Sequence, residues 1–166
     1  MSQRTVQSLI LMVDNEFGVL TRVTALIRRD GWNIKSLVVA ETMNPAVSRL
    51  TISVECIDST LPHVLDKLGH LACVRSITAY SKESHISREL VMVTVGCECR
   101  ELALKAAEDI GVHIIVTAAD GSLTLEFSGT PENTESLIAA LKPCSIINIA
   151  RSGIVALERL AKEAVK

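Results

Sequence analysis

Hydrophobic positions change their spacing several times along the chain, and each change predicts a new element. Residues 5–13 are apolar enough for a buried strand, whereas the apolar residues of 19–27 recur at helical spacing. Apolar and polar residues then alternate over 49–56, as in a strand with one solvent-facing side. The first half therefore predicts, in order, strand 5–13, helix 19–27, strand 34–42, strand 49–56, helix 61–71 and strand 74–80.

The same order of elements returns in the second half of the chain. Its pattern predicts strand 90–95, helix 100–110, strands 112–118 and 122–128, a helix opening at Pro131, and strand 145–150. We expect an α+β protein made of two tandem ferredoxin-like βαββαβ domains, each an antiparallel sheet with helices on one face. The polar stretch 81–87 places the boundary between domains 1–82 and 83–166. The tail 154–165 has an amphipathic pattern, and no sheet position is left for it.

Charge and composition exclude several partners. The chain has 17 basic and 19 acidic residues, no basic block and 2% aromatic residues, which argues against nucleic acid. No apolar run approaches the ~20 residues of a membrane span, and the N-terminus lacks a signal-peptide pattern. We therefore expect a soluble, cytoplasmic protein without a membrane partner. Its five scattered cysteines are expected to be reduced core thiols rather than disulfides.

Catalytic and metal-binding patterns are largely missing from the sequence. Phosphate-binding, dinucleotide-binding and nucleophile-elbow motifs are all absent. Cys97 and Cys99 form a C-x-C pair without two further metal ligands at workable spacing, and His63 and His70 are better explained by a solvated helix face. We expect no catalytic residue and no metal site in this chain.

The turn at 14–18 is the most informative stretch for binding. It joins a strand to a helix whose first N–H groups have no intrahelical acceptor and are suited to a carboxylate. Gly18 lets a ligand approach the backbone, and the Asn15 carbonyl is suited to accept from an ammonium group. With the apolar Val19, Leu20 and Ile34 nearby, these groups describe a site for a free aliphatic amino acid. The simpler alternative is that Asp14 or Asn15 only caps the helix.

Four stretches carry a resemblance to a known family. "VDNEFGVLTRVTALIRRDGWNIKSLVVAET" with the following "SRLTI" resembles the N-terminal ACT domain of the small, regulatory subunit of acetohydroxyacid synthase, also called acetolactate synthase. "HISRELVMVTV" resembles the opening of that family's C-terminal domain, and "IARSGIVAL" resembles its closing motif. The resemblance covers essentially the whole chain, with its weakest part between 98 and 148.

The resemblance implies a regulatory subunit without catalysis of its own. Such a subunit forms a homodimer through its ACT domains, activates the catalytic large subunit, and confers feedback inhibition by valine or another branched-chain amino acid. Thiamine diphosphate, Mg and FAD are expected on the catalytic subunit, with no cofactor in this chain. The alternative is a free-standing tandem ACT module that senses amino acids for a different enzyme or regulator.

The resemblance also implies where the effector binds. In the family the site lies between ACT domains of two protomers, lined by the first strand-to-helix turn of one and the helix and second-strand region of the other. By that resemblance, the effector-binding residues of this chain are Asn15, Glu16, Gly18, Val19, Leu20, Asn33 and Ile34.

Overall fold

The structure, a computed structural model, describes residues 4–160, apart from the side chains of Asp58 and of residues 106–108. The described chain divides into two compact units, one made of 4–86 together with 154–160 and the other of 87–153. This division lies close to the predicted boundary between 82 and 83. It differs from the prediction in grouping the segment 154–160 with the first unit.

The first unit is a four-stranded antiparallel sheet with two helices. The strand order is β2-β3-β1-β4, and β3 pairs with β1 along the whole length of both strands. This is the predicted βαββαβ arrangement. Its elements are β1 (Arg4–Asp14), α1 (Val19–Arg29), β2 (Asn33–Glu41), β3 (Val47–Ile57), α2 (Leu61–Gly69) and β4 (Val74–Ala79).

The helices of the first unit cover one face of its sheet. Alternate residues of β1 and β3, such as Leu11 and Ile52, are fully buried in one cluster with Val23 of α1 and Leu68 of α2. Burial of each such side chain contributes about 1.5–3 kcal/mol. The apolar positions of the period-two pattern in β3 and of the helical pattern in α1 therefore lie in the same core.

The second unit repeats the arrangement with different side chains. Its strand order is β6-β7-β5-β8, and a further strand, β9, also pairs with β5. The predicted elements are all present, although β5 begins five residues earlier than predicted. They are β5 (His85–Val95), α3 (Arg100–Ile110), β6 (His113–Thr117), β7 (Leu123–Gly129), α4 (Pro131–Leu141) and β8 (Ile146–Arg151). The further strand β9 (Val155–Glu158) was not predicted and lies in the segment 154–160 that is grouped with the first unit.

The end of the chain corrects one prediction. Residues 155–158 form the strand β9 rather than part of an amphipathic helix over 154–165; the rest of that prediction, 161–165, lies outside the described residues. The Arg159 N–H donates to the Ser84 carbonyl at 2.8 Å, and Ala156 is 1% exposed. The strand forms because β5 extends back to His85 and offers a sheet position that the pattern did not reveal.

The prediction that all cysteines are reduced was wrong for two of them. Cys99 and Cys144 form a disulfide, while Cys56, Cys73 and Cys97 are not disulfide-bonded. The fold places the start of α3 beside the residues that precede β8, although the two cysteines are 45 positions apart in sequence. Such proximity depends on tertiary structure, so the scattered spacing concealed it.

An ion pair between a buried carboxylate and a partly exposed guanidinium joins β5 and β8 of the second unit. Glu89 of β5 is 3% exposed and accepts from Arg151 of β8, whose Nε and Nη2 donate to its two oxygens at 2.9 and 2.8 Å. The Arg151 Nη1 also donates to Glu135 at 2.7 Å. These contacts raise the pKa of the guanidinium, chiefly through the hydrogen bond with Glu89. Glu89 lies in "HISRELVMVTV" and Arg151 in "IARSGIVAL", so the ion pair connects two of the stretches that carry the family resemblance.

Candidate effector site

The turn between β1 and α1 leaves the start of the helix open. Gly18 occupies the N-cap position with a φ of 79°, and no side chain caps the helix. Neither Asp14 nor Asn15 is a cap, because Asp14 accepts from the Arg75 Nε at 2.7 Å and Asn15 faces the β2–β3 hairpin. The simple capping alternative is therefore wrong. Among the described residues, the N–H groups of the first turn have no side-chain acceptor, and the Val19 N–H has only a long contact of 3.4 Å with the Glu16 carbonyl. These groups carry the partial positive charge of the helix dipole.

Asn15 is fixed in one orientation by three hydrogen bonds. Its Nδ2 donates to the Pro45 carbonyl at 2.9 Å and to the Glu41 carboxylate at 3.2 Å. Its Oδ1 accepts from the Ser48 hydroxyl at 3.0 Å, which leaves one lone pair on a carbonyl oxygen that can accept twice. The side chain is thus pre-oriented, and its remaining acceptor capacity is the part available to an ammonium group.

The other predicted residues of this turn divide between surface and core. Gly18 has open space where a Cβ would lie, and Leu20 is 42% exposed. Glu16 is also exposed, whereas Val19 is 3% exposed and belongs to the core cluster. A ligand at this turn would meet the Val19 backbone and the Leu20 side chain.

The far end of α1 carries the second predicted group. Asn33 begins β2, and Ile34 is half-buried against the core. Both line an open cleft of about 430 Å³ that also includes Trp32 and Gly31. The neighbouring Glu55 carboxyl has a pKa below its ordinary value because Lys35 donates to it, with a smaller contribution from Asn33. The cleft thus combines apolar walls with an amide that is already engaged by a carboxylate.

The two groups are separated by the length of α1. A helix of 11 residues spans about 16 Å, which is far longer than an aliphatic amino acid. The turn at Gly18 and the cleft at Asn33 therefore do not form one small site within a single chain. Two copies arranged about a two-fold axis can bring one chain's turn to the other chain's cleft.

Sequence reasoning missed the groups that orient Asn15. Ser48, Glu41 and the Pro45 carbonyl all belong to the β2–β3 hairpin and its flanks. Ser48 is the first residue of "SRLTI", but the sequence of that motif does not reveal the contact of Ser48 with Asn15. Only the antiparallel register, which pairs Val13 with Ser48, shows that the hairpin lies beside the turn.

The other candidate chemistry of the sequence does not converge in the structure. Within residues 4–160, no group of three or more His, Cys, Asp or Glu side chains is placed to hold a metal ion. Cys97 is an exposed free thiol, and His70 contacts its own helix through Asp66. In the same range, no helix is long and apolar enough to cross a bilayer.

Comparison with known proteins gives consistent matches for both units. Residues 9–76 match the family described as the AHAS small subunit-like ACT domain, and residues 88–160 match the family described as the small subunit of acetolactate synthase. The acetolactate synthase small subunit of Mycolicibacterium smegmatis is 35% identical over 92% of this chain and 90% of its own length. That of Haemophilus influenzae is 34% identical over 91% of this chain and 94% of its own length.

A solved structure agrees with these matches. The acetolactate synthase small subunit from Thermotoga maritima superposes with a TM-score of 0.81 at 28% identity, covering 95% of this chain and 99% of the other. The fold thus defines a regulatory protein built from two ACT-type βαββαβ units. The matches to both units specify it further: the chain belongs to the family of acetolactate synthase small subunits. The match over 88–160 also argues against the alternative of a free-standing amino-acid sensor.

Proposed function

We propose that this chain is a non-catalytic regulatory subunit that binds the catalytic subunit of acetolactate synthase and makes it sensitive to valine or a related branched-chain amino acid. The observation that carries the proposal is the uncapped start of α1 beside the pre-oriented Asn15. The helix N-terminus supplies N–H donors for a carboxylate, and Leu20 supplies apolar surface.

The proposed site is completed by a second copy of the chain. The Gly18 turn of one protomer receives the amino acid's carboxylate and ammonium groups, and the Asn33–Ile34 cleft of its partner receives the aliphatic side chain. A ligand shared in this way stabilises one arrangement of the dimer over others. Coupling between such a site and a distant activity is typically about 1–3 kcal/mol. The cofactors of the reaction belong to the catalytic subunit in this proposal.

The decisive experiment replaces Gly18 by Asp. The new carboxylate would lie where the ligand's own carboxylate is proposed to bind, so calorimetric titration should show valine binding to the original chain and none to the variant. The matched control is Gly111→Asp, because Gly111 has nearly the same φ, 74°, and equally open space but lies in the second unit. Both variants share the modest strain of a left-handed residue.

Reconstitution with a large subunit extends the test to function. We expect Gly18→Asp to retain activation and to lose inhibition by valine, while Gly111→Asp retains both. If valine binds Gly18→Asp as tightly as the original chain, the site assignment is wrong. If valine, leucine and isoleucine all fail to bind the original chain, alone and in the complex, the proposed effector class is wrong.

A further inference from the structure

Arg49 occupies an unusual position on the face of the first sheet that lies opposite the helices. Its neighbours across the sheet are Met12 on β1 and Ala40 on β2. The adjacent residues, Ser48 and Leu50, point to the core side with the helices. Arg49 is therefore on a different face from the proposed effector turn.

The guanidinium of Arg49 is held in place without a counter-ion. Its Nη1 donates to the Ala156 carbonyl at 3.1 Å, and no carboxylate lies within ion-pair distance among the described residues. Of the Lys and Arg residues in 4–160, only Arg49 and Lys67 are partly buried, and the others are exposed. Lys67 is neutralised by Asp30 at 2.9 Å. Arg49 is thus a partly buried positive charge, and among the described residues its guanidinium, which has five N–H donors, contacts only the Ala156 carbonyl.

A cleft of about 660 Å³ opens beside this charge. Its apolar lining residues are the half-buried Met12 and the exposed Ala40 and Met43, and its polar groups besides Arg49 are Glu41, Thr42 and Asn44. The volume falls within the range of small-molecule sites, which are mostly apolar with a few polar groups that fix orientation. A guanidinium offers the fork of donors that a carboxylate accepts.

Glu41 limits the charge that the cleft can accept. One of its carboxylate oxygens accepts from Asn15 at 3.2 Å, so this negative group is held at the cleft. A second negative charge on the ligand would be repelled by it. The cleft therefore suits a monocarboxylate with a short aliphatic body better than a dicarboxylate or a phosphate.

We propose that the Arg49 cleft is a second small-ligand site, distinct from the effector turn, which binds short aliphatic monocarboxylates. Arg49 receives the carboxylate, and the Met12 and Met43 side chains contact the aliphatic body. The proposal does not depend on valine binding, since its carboxylate contact is Arg49 rather than the Gly18 turn, although Glu41 of the cleft also accepts from Asn15 of that turn.

The test uses isobutyrate as the probe and the full chain carrying Gly18→Asp, so that the effector turn does not contribute. We expect saturable binding by calorimetry or ligand-observed NMR, with succinate and phosphate binding more weakly. Arg49→Gln should weaken isobutyrate binding by about tenfold or more, and Arg49→Lys by less, because lysine keeps the charge without the fork. The glutamine amide can still donate to the Ala156 carbonyl, which favours retention of the fold.

The matched control is Arg88→Gln. Arg88 also donates to a backbone carbonyl, that of Ser87 at 2.8 Å, but it is exposed and lies in the second unit. Its replacement should leave isobutyrate binding unchanged. Equal affinity in Arg49→Gln, or no binding to the folded chain, would overturn the proposal. A third result would also overturn the proposal: the original chain does not bind isobutyrate, and Arg49→Gln no longer associates with the large subunit. The partner of Arg49 would then be a carboxylate of that protein.

Discussion

The ion pair between Glu89 and Arg151 gives a sharp prediction about the second unit. Replacing Arg151 by Met removes both hydrogen bonds to Glu89, at 2.9 and 2.8 Å, and leaves a carboxylate that is 3% exposed without its counter-charge. Removing one partner of a fully buried pair costs about 3–5 kcal/mol. The Arg151 side chain is 38% exposed, so water can replace part of its contacts. We therefore expect a loss of about 2–3 kcal/mol in the free energy of unfolding.

A double-mutant cycle separates this charge effect from lost packing. In a Glu89→Gln background no buried carboxylate remains, so Arg151→Met should cost less than about 1 kcal/mol. The difference between the two costs is the coupling energy of the pair. Glu135→Gln is a useful comparison, because its carboxylate is 63% exposed and its contact with Arg151 should contribute little.

The assay must report on the second unit alone. Trp32, the only tryptophan, lies in the first unit, so its fluorescence serves as the internal control. Native-state hydrogen exchange at the buried Val91 and Val93 of β5 measures opening of the second unit. If Arg151→Met lowers the free energy of unfolding by the same amount in the original chain and in the Glu89→Gln background, the charge argument is refuted.

Three further outcomes test the second unit. Thiol titration of the denatured, unreduced chain should detect three thiols, because Cys99 and Cys144 are bonded; five would contradict the disulfide. The disulfide closes a loop of 45 positions, which in the chain-entropy model contributes about 4 kcal/mol to the free energy of unfolding. Cys144→Ser should therefore lower the unfolding midpoint of this unit. Gly121→Ala should destabilise more than Gly111→Ala in thermal melts, by about 1 kcal/mol or more. Both glycines have positive φ, but a Cβ at 121 would lie 2.9 Å from the Cys97 Cβ. Equal losses of stability in the two variants would show that Cys97 moves away without a cost in free energy.

Much of the fold follows from local patterns in the sequence. The alternation in β3 predicts a strand, the helical spacing in α1 predicts a helix, and the repeated order of elements predicts the topology of both units. The tail was misassigned because its apolar spacing suits a helix, while the strand depends on a pairing position offered by β5. The disulfide was missed for the same reason: both features depend on contacts between distant residues.

The conformation of the Gly18 turn could be predicted from the sequence, but the contacts around it could not. Gly18 was singled out by its place between a strand and a helix, and its φ of 79° agrees with the need for a glycine there. The hydrogen bonds that orient Asn15 come from a hairpin about 30 residues later in sequence. The sequence pattern does not distinguish Arg49 from other polar residues of its strand, because its partial burial and its lack of a counter-ion among the described residues depend on tertiary structure.

The second unit is, in effect, an insertion within the first. The first unit is completed by 154–160, so no single cut of the chain separates the two units intact. The strands that begin and end the insertion lie side by side, since Leu90 and Ser152 exchange hydrogen bonds next to the Glu89–Arg151 pair. The two ends of the inserted segment are therefore neighbours in the structure. Exchange of this segment between relatives would therefore test which unit carries recognition of the large subunit, because both of its ends lie at one pair of neighbouring strands.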